Sequence, residues 1–159
     1  MRCGLLGQTL AHSHSPLLHS LLGDYAYTLF EKAPDQVEDF LKNGSWDGLN
    51  VTIPYKKEVI PFLDELSPAA ARLGAVNTIV RRDGKLIGHN TDYFGFRRLV
   101  QESGLQVAGK KVLVLGSGGA SSTAVAVLQA TTTALIPRGM NAAMQLAVNS
   151  RTSSVDRSP

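Results

Sequence analysis

Apolar and polar positions follow two different periods along the first half of the chain. Residues 2–7, 25–30 and 47–53 form short, mainly apolar runs, the second of them rich in aromatic and β-branched side chains, as is typical of strands. Residues 17–22 and 34–43 instead place apolar side chains at helical spacing. This repeated strand–helix order predicts an α/β fold with a mostly parallel sheet.

Proline, serine and glycine mark the ends of several predicted helices. Ser15 is expected to cap the first helix, with Pro16 at its first position. Two further helices are predicted over residues 55–63 and 68–73, and Gly74 closes the second of them.

A hairpin and a polar hinge follow these helices. Residues 76–81 and 85–88 flank an Asp83-Gly84 pair, which is a strong signal for a tight turn between two strands. The stretch 88–95 is polar between two glycines, and Asp92 within it opens the next predicted helix. Such a junction between two α/β units is a plausible floor for a ligand cleft, although a solvated loop with Asp92 as helix cap is an equally simple interpretation.

The second half of the chain begins a new strand–loop–helix unit. Residues 111–115 are continuously apolar, which predicts a strand buried in a parallel sheet, and residues 123–128 predict an apolar helix. Beyond residue 129 no clear period is visible, and the Ser- and Arg-rich stretch 151–159 is expected to fray.

Composition excludes several classes of protein. With 43% hydrophobic and 18% charged residues and no apolar run of about 20 residues, the chain is expected to be a globular cytoplasmic protein without a membrane span or signal peptide. A net charge of +3 without an aromatic-basic platform argues against nucleic acid as a partner. The single cysteine excludes an intrachain disulfide, and His12 and His14 lack the further ligands of a metal site.

The most specific local motif is the glycine-rich loop Gly116-Ser117-Gly118-Gly119-Ala120. It lies directly between the predicted strand and the predicted helix, where its glycines permit a tight turn and its backbone N–H groups can hold a pyrophosphate. We therefore predict dinucleotide binding, while close helix–strand packing alone remains the alternative.

The expected ribose-binding segment contains no acidic residue. The nearest candidates are Asn149 and Arg151, roughly 30 residues after the loop, and an arginine without a carboxylate suits a 2′-phosphate. This favours NADP over NAD, although Arg151 in solvent at the end of the chain explains the same residue equally well.

Three polar stretches in the first half could carry chemistry. Lys56 follows a strand and would act as a proton donor or acceptor if partial burial in a cleft lowered its pKa, with Asp92 as an orienting carboxylate. The adjacent Lys57 also makes a solvated helix start possible. The hydroxyls of Ser13 and Ser15, in a loop after the first strand, suit hydrogen bonds to a hydroxylated or carboxylate ligand.

Taken together, these stretches resemble the shikimate dehydrogenase family. The matching blocks occur in family order and with family-like spacing over residues 3–128, and they are Ser13-His14-Ser15-Pro16, Asn50-Val51-Thr52-Ile53-Pro54-Tyr55-Lys56, Gly74-Ala75-Val76-Asn77-Thr78, Gly88-His89-Asn90-Thr91-Asp92 and Gly116-Ser117-Gly118-Gly119-Ala120. Five blocks in register are a specific signal, whereas any one alone is not.

The resemblance implies the reversible, NADPH-dependent reduction of 3-dehydroshikimate to shikimate, on the route to chorismate and the aromatic amino acids. By matching motif, Ser13 and Ser15 would hold the substrate carboxylate, and Thr52, Asn77 and Asp92 would bind its hydroxyls. Lys56 would be the catalytic acid/base beside Asp92, because an ammonium paired with a carboxylate can supply the proton that a developing alkoxide needs.

The family is longer than this chain, so the resemblance implies a C-terminally truncated member. We expect residues 1–91 to be a substrate-binding domain and residues 92–159 to be a partial Rossmann-type NADP-binding domain. An inactive fragment, a non-catalytic shikimate-binding module and a quinate/shikimate dehydrogenase remain the alternatives, since substrate choice depends on small differences in a pocket.

Overall fold

The computed structural model describes residues 1–116 and 118–131, and the predicted sites at Ser117, Asn149 and Arg151 lie outside this range. The chain divides into two compact units, Met1–Thr91 and a second that begins at Asp92. None of the helices in the described ranges is long and apolar enough to cross a bilayer.

The first unit alternates strands and helices before it ends in a hairpin. Short 3₁₀ turns at Pro34–Gln36 and Ile60–Phe62 join some of these elements. In chain order the elements are β1 (Arg2–Gly7), α1 (Ser15–Leu22), β2 (Ala26–Glu31), α2 (Val37–Asn43), β3 (Gly48–Val51), β4 (Glu65–Leu66), α3 (Pro68–Leu73), β5 (Thr78–Arg82) and β6 (Lys85–His89).

All six strands of this unit belong to one sheet, in the order β2-β1-β3-β5-β6-β4. The pairs β1–β2, β1–β3 and β4–β6 are parallel, whereas β3–β5 and β5–β6 are antiparallel. The predicted α/β class with a mostly parallel sheet is therefore confirmed. The antiparallel pairs arise because β5 returns beside β3 and then turns tightly into β6 through Asp83 and Gly84, both at positive φ.

The core covers one face of this sheet. Leu6, Val51, Leu49 and Ile79 point to that face, because Leu6 pairs with Val51 and Leu49 pairs with Ile79 across adjacent strands. They pack with residues of α2, α3 and the β3–β4 connection, a buried cluster that also includes Val37, Leu41, Trp46, Tyr55, Val59, Ala70, Val76 and Leu86.

Arg81 stabilises the end of α2 against the sheet. Its guanidinium donates to the carbonyl oxygens of Leu41 at 2.8 Å and Gly44 at 3.3 Å, and it lies 4.5 Å from the centre of the Trp46 ring. A cation at a helix C-terminus satisfies carbonyls that have no partner within the helix.

Two local expectations in this unit are wrong. The predicted helix over residues 55–63 is a series of turns followed by a 3₁₀ helix, because Pro61 cannot continue an α-helix. Ser15 is not the cap of α1 but its first residue, and the Ser13 hydroxyl accepts a hydrogen bond from the Ser15 N–H at 3.2 Å. A hydroxyl from the preceding loop thus satisfies one of the free N–H groups at the start of the helix.

The described part of the second unit consists of α4 (Asp92–Glu102), α5 (Gly119–Thr131) and a connection without regular structure. The predicted strand over residues 111–115 is wrong, since Leu113 and Leu115 are 53% and 85% exposed. A buried parallel strand needs neighbouring strands, and the described residues of this unit supply none.

Two glycines on adjacent strands provide a test of the sheet. A Cβ on Gly4 would lie 2.3 Å from the Thr28 carbonyl oxygen and 2.4 Å from the Phe30 ring, whereas a Cβ on Gly48 would meet nothing closer than the Cys3 Sγ at 3.5 Å. We predict that Gly4→Ala lowers the free energy of unfolding by about 1–3 kcal/mol because the site has no room for a methyl group. Gly48→Ala is the matched control and should cost less. Denaturant unfolding measures both, and equal effects would contradict the close packing of β1 on β2.

Candidate functional site

The strand directions bring several polar segments to one edge of the sheet. The parallel strands β1 and β3 both end at this edge, which places the loop after Gly7 beside Thr52. Because β5 runs antiparallel to β3 and β6 antiparallel to β5, the start of β5 and the end of β6 lie at the same edge. Asn77 and Asn90 therefore join the same polar edge.

A cleft of about 370 Å³ opens at the ends of β1 and β3. Its walls combine apolar and hydroxyl-bearing side chains, namely Leu5, Thr9, Leu10, Ala11, His12, Ser13, Ser15 and Thr52. The structure thus brings together three of the side chains predicted to bind substrate, one hydroxyl from Thr52 and two from Ser13 and Ser15 at the start of α1. Neutral hydroxyls with apolar surroundings suit a small ligand that carries several oxygen atoms.

The loop that presents Ser13 and Ser15 is held at both ends. The Ser13 N–H donates to the Leu10 carbonyl oxygen at 2.9 Å, and the Leu10 N–H donates to the Glu31 carboxylate at 2.5 Å. A Cβ on Gly7 would lie 2.6 Å from the Leu10 side chain and 2.8 Å from that of Thr52, so a glycine permits the close approach of this loop. These contacts fix the floor of the cleft.

Thr52 and Lys56 lie on the segment that leaves β3. The Thr52 N–H extends the ladder to the Leu6 carbonyl oxygen at 2.9 Å, and the Thr52 carbonyl oxygen accepts from the Tyr55 N–H at 2.9 Å. The carbonyl oxygen of Lys56 then accepts from the Val76 N–H at 2.7 Å, which joins this turn to the residues before β5. Lys56 is half-buried, in contrast to its exposed neighbour Lys57.

Asn77 is buried at 8% exposure and bonds mainly within the protein. Its Oδ1 accepts from the Thr91 N–H at 2.8 Å and from the Thr78 hydroxyl at 3.1 Å, and its Nδ2 donates to the Thr91 hydroxyl at 2.9 Å. The hydrogen bonds of this side chain therefore join the start of β5 to the segment after β6. Its predicted contact with substrate stays a prediction, for which the second Nδ2 proton is the natural donor.

Tyr27 and Asn50 form a polar connection that sequence reasoning did not assign to the site. The Tyr27 hydroxyl donates to the Asn50 Oδ1 at 2.8 Å. Burial raises the pKa of Tyr27 to about 12, so its hydroxyl stays protonated at neutral pH. The sequence predicts that residues 25–30 form a strand, and Tyr27 pairs with Cys3 in the sheet. This strand pattern does not reveal that Tyr27 reaches Asn50 on β3.

Two predicted sites lie in the second unit. Asp92 is exposed and begins α4, as its predicted place at the start of a helix requires. In the glycine-rich loop, Gly116 has φ +127°, and α5 begins at Gly119. A Cβ on Gly118 or Gly119 would meet no described residue within 4 Å, so among these residues the start of α5 is open to an approaching anion.

Comparisons with known proteins match this chain to one family. Residues 5–79 match the family model described as shikimate dehydrogenase substrate binding domain. The NADP(+) shikimate dehydrogenase of Halothermothrix orenii is 44% identical over 138 residues, which cover 79% of this chain and 46% of that protein. The chain thus spans about half the length of the curated relatives that it matches.

Solved structures give the same result. Shikimate dehydrogenase 1 of Peptoclostridium difficile is 37% identical with a TM-score of 0.71, over 83% of this chain and 52% of that one. The shikimate 5-dehydrogenase of Thermus thermophilus, solved in complex with NADP(H) and shikimate, is 30% identical with a TM-score of 0.70, over 94% and 60%. Residues 5–79, which contain the cleft hydroxyls and Lys56, thus belong to the substrate-binding domain family of the shikimate dehydrogenases.

Proposed function

We propose that this chain carries the substrate-binding part of an NADP-dependent shikimate dehydrogenase, an oxidoreductase that reversibly reduces 3-dehydroshikimate to shikimate. The observation that carries the proposal is the cleft of about 370 Å³, which is lined by hydroxyls at the positions where the family motifs lie. A small-molecule substrate fits a cleft of this size, and a cytoplasmic location accompanies this function.

Recognition of the substrate divides between two kinds of polar group. Ser13 and Ser15 donate from the start of α1 to the substrate carboxylate, while Thr52 donates to or accepts from a ring hydroxyl. Asn77 donates to a ring hydroxyl through its second Nδ2 hydrogen, since the first donates to the Thr91 hydroxyl. Because hydroxyl and amide groups lose free energy when they are buried without a partner, this set disfavours ligands that lack the matching oxygens.

Lys56 is the proposed acid/base. Reduction of a ketone adds a hydride to carbon and leaves negative charge on oxygen, which must receive a proton as the alcohol forms. Lys56 is half-buried and follows the cleft residue Thr52 by four positions, and its ammonium group can donate that proton, while the neutral amine accepts it in the reverse direction. Asp92 is the proposed carboxylate partner, with a second role in binding a substrate hydroxyl.

The glycine-rich loop fits a nucleotide diphosphate at its open helix start. Gly118, Gly119 and Ala120 would hold the pyrophosphate of NADP through backbone N–H groups, with Gly116 and Ser117 in the preceding turn. Asn149 and Arg151 remain the proposed readers of the 2′-phosphate. The chemistry that such a cofactor supplies when bound is hydride transfer.

The acid/base role can be tested with adjacent lysines. We predict that Lys56→Ala lowers shikimate-dependent formation of NADPH by about 10²–10⁴-fold, which is the usual contribution of a positioned general acid or base. Lys57→Ala removes the same charge from an exposed neighbour and should leave the rate within about twofold. Equal losses in the two variants would reject Lys56 as the acid/base. Absence of turnover in the unaltered chain, with shikimate still bound, would show that this chain acts as a binding module.

The carboxylate-binding role can be tested within one helix. We predict that Ser15→Ala weakens shikimate binding by about tenfold or more, because a hydrogen bond to a charged group contributes about 1.5–3 kcal/mol. Ser20→Ala is the control, since the Ser20 hydroxyl donates to the Leu17 carbonyl oxygen on the exposed side of α1. Isothermal titration calorimetry measures both affinities. Unchanged affinity in Ser15→Ala would remove Ser15 from the binding site.

A further inference from the structure

The side chain of Tyr27 connects three elements of the first unit. Tyr27 lies on β2, and its hydroxyl donates to Asn50 on β3 at 2.8 Å. The ring is also stacked on His19 of α1, with centroids 3.7 Å apart and planes at 13°. Both the ring and the hydroxyl of Tyr27 are therefore held in place.

Small residues between Tyr27 and Asn50 explain how the hydrogen bond between them can form. Tyr27 pairs with Cys3 of β1, and Cys3 pairs with Gly48 of β3, so all three lie on one row across the sheet. Because Cys3 has a short side chain and Gly48 has none, the phenol ring can extend across β1 to Asn50 on β3. The chain thus leaves room for a long polar side chain at this row.

The direction of the hydrogen bonds determines what Asn50 offers to a ligand. A protonated phenol donates its one hydrogen to the Asn50 Oδ1, so the carboxamide has its oxygen occupied and its Nδ2 hydrogens available for donation. The register partner of Asn50 on β1 is Leu5, a residue of the cleft wall, and the next residue but one is Thr52, which also lines the cleft. Asn50 therefore adjoins the cleft at the end of β3.

The same bond limits the rotation of the Asn50 side chain. A carboxamide rotates freely in solvent, whereas a hydrogen bond from a phenol that is itself stacked on His19 favours one orientation. Ordered donors lose less entropy when a ligand binds.

We propose that Tyr27 is a positioning residue of the substrate cleft, whose hydroxyl orients Asn50 of β3 for a ligand with ring hydroxyls. Tyr27 acts through this side chain rather than by contact with the ligand. This role deepens the proposed function and rests on it, since shikimate carries ring hydroxyls.

The test measures shikimate affinity of the full chain by calorimetry. Tyr27→Phe removes only the hydroxyl and keeps the ring that stacks on His19, and we expect it to weaken binding by about tenfold, which is the value of one net hydrogen bond. Tyr25→Phe is the matched control, because its hydroxyl bonds to the His19 Nδ1 at 2.6 Å and not to Asn50. We expect its affinity to change by less than about twofold.

A double-mutant cycle separates positioning from general stability. If Tyr27 acts through Asn50, then Tyr27→Phe should lose most of its effect on binding in a variant that carries Asn50→Ala. Full additivity, or affinity in Tyr27→Phe equal to that of the unaltered chain, would overturn the positioning role while the proposed function stands. If the unaltered chain does not bind shikimate, the proposed function fails and this inference fails with it.

Discussion

The buried side chain of Asn77 holds together the sheet edge on which the cleft depends. Its backbone carbonyl accepts from the Val51 N–H at 2.8 Å and its N–H donates to the His89 carbonyl oxygen at 3.0 Å, so the residue joins β3 to β6 at the start of β5. Its carboxamide then binds the Thr91 backbone and hydroxyl. Without these hydrogen bonds, the segment that leaves β6 would contain buried polar groups without partners, which costs free energy of folding.

These bonds of Asn77 matter because the polar edge is built from strand ends rather than from one loop. Ser13 and Ser15 follow β1, Thr52 and Lys56 follow β3, and Asn77 precedes β5. Their positions relative to one another are fixed only as long as these strands keep their register. The sheet keeps that register through its backbone hydrogen bonds and through the core on one of its faces, and the polar edge is left for ligand recognition.

Much of the first unit could be predicted from local patterns. The alternation of strands and helices, the Asp83-Gly84 turn and the end of α3 at Gly74 all have signals within a few residues. The two-residue strand β4 could not be predicted, because such a short strand has no period of its own. The apolar run over residues 111–115 fails for the opposite reason. Its hydrophobicity is typical of a buried strand, but burial also needs neighbouring strands, and the described residues of the second unit include none.

The candidate site was predictable where it depends on residue type and not where it depends on packing. Hydroxyl-bearing motifs identified Ser13, Ser15 and Thr52, and the structure brings these three to one cleft. The bond between Tyr27 and Asn50 could not be predicted, because it crosses a strand and requires small residues between its partners. The internal bonds of Asn77 were hidden for a similar reason, since they join segments that are distant in sequence.

The central claim is that an oxygen-rich ligand binds where β1 and β3 end and β5 begins. The most direct measurement is a titration of the labelled chain with shikimate, followed by the NMR shifts of its backbone amides. We expect saturable shifts that are largest at Ser13, Ser15 and Thr52, with little change at Asp83 and Gly84 in the turn at the far end of β5 and β6. Shifts concentrated at that turn, or no saturable shifts at the cleft residues, would contradict it.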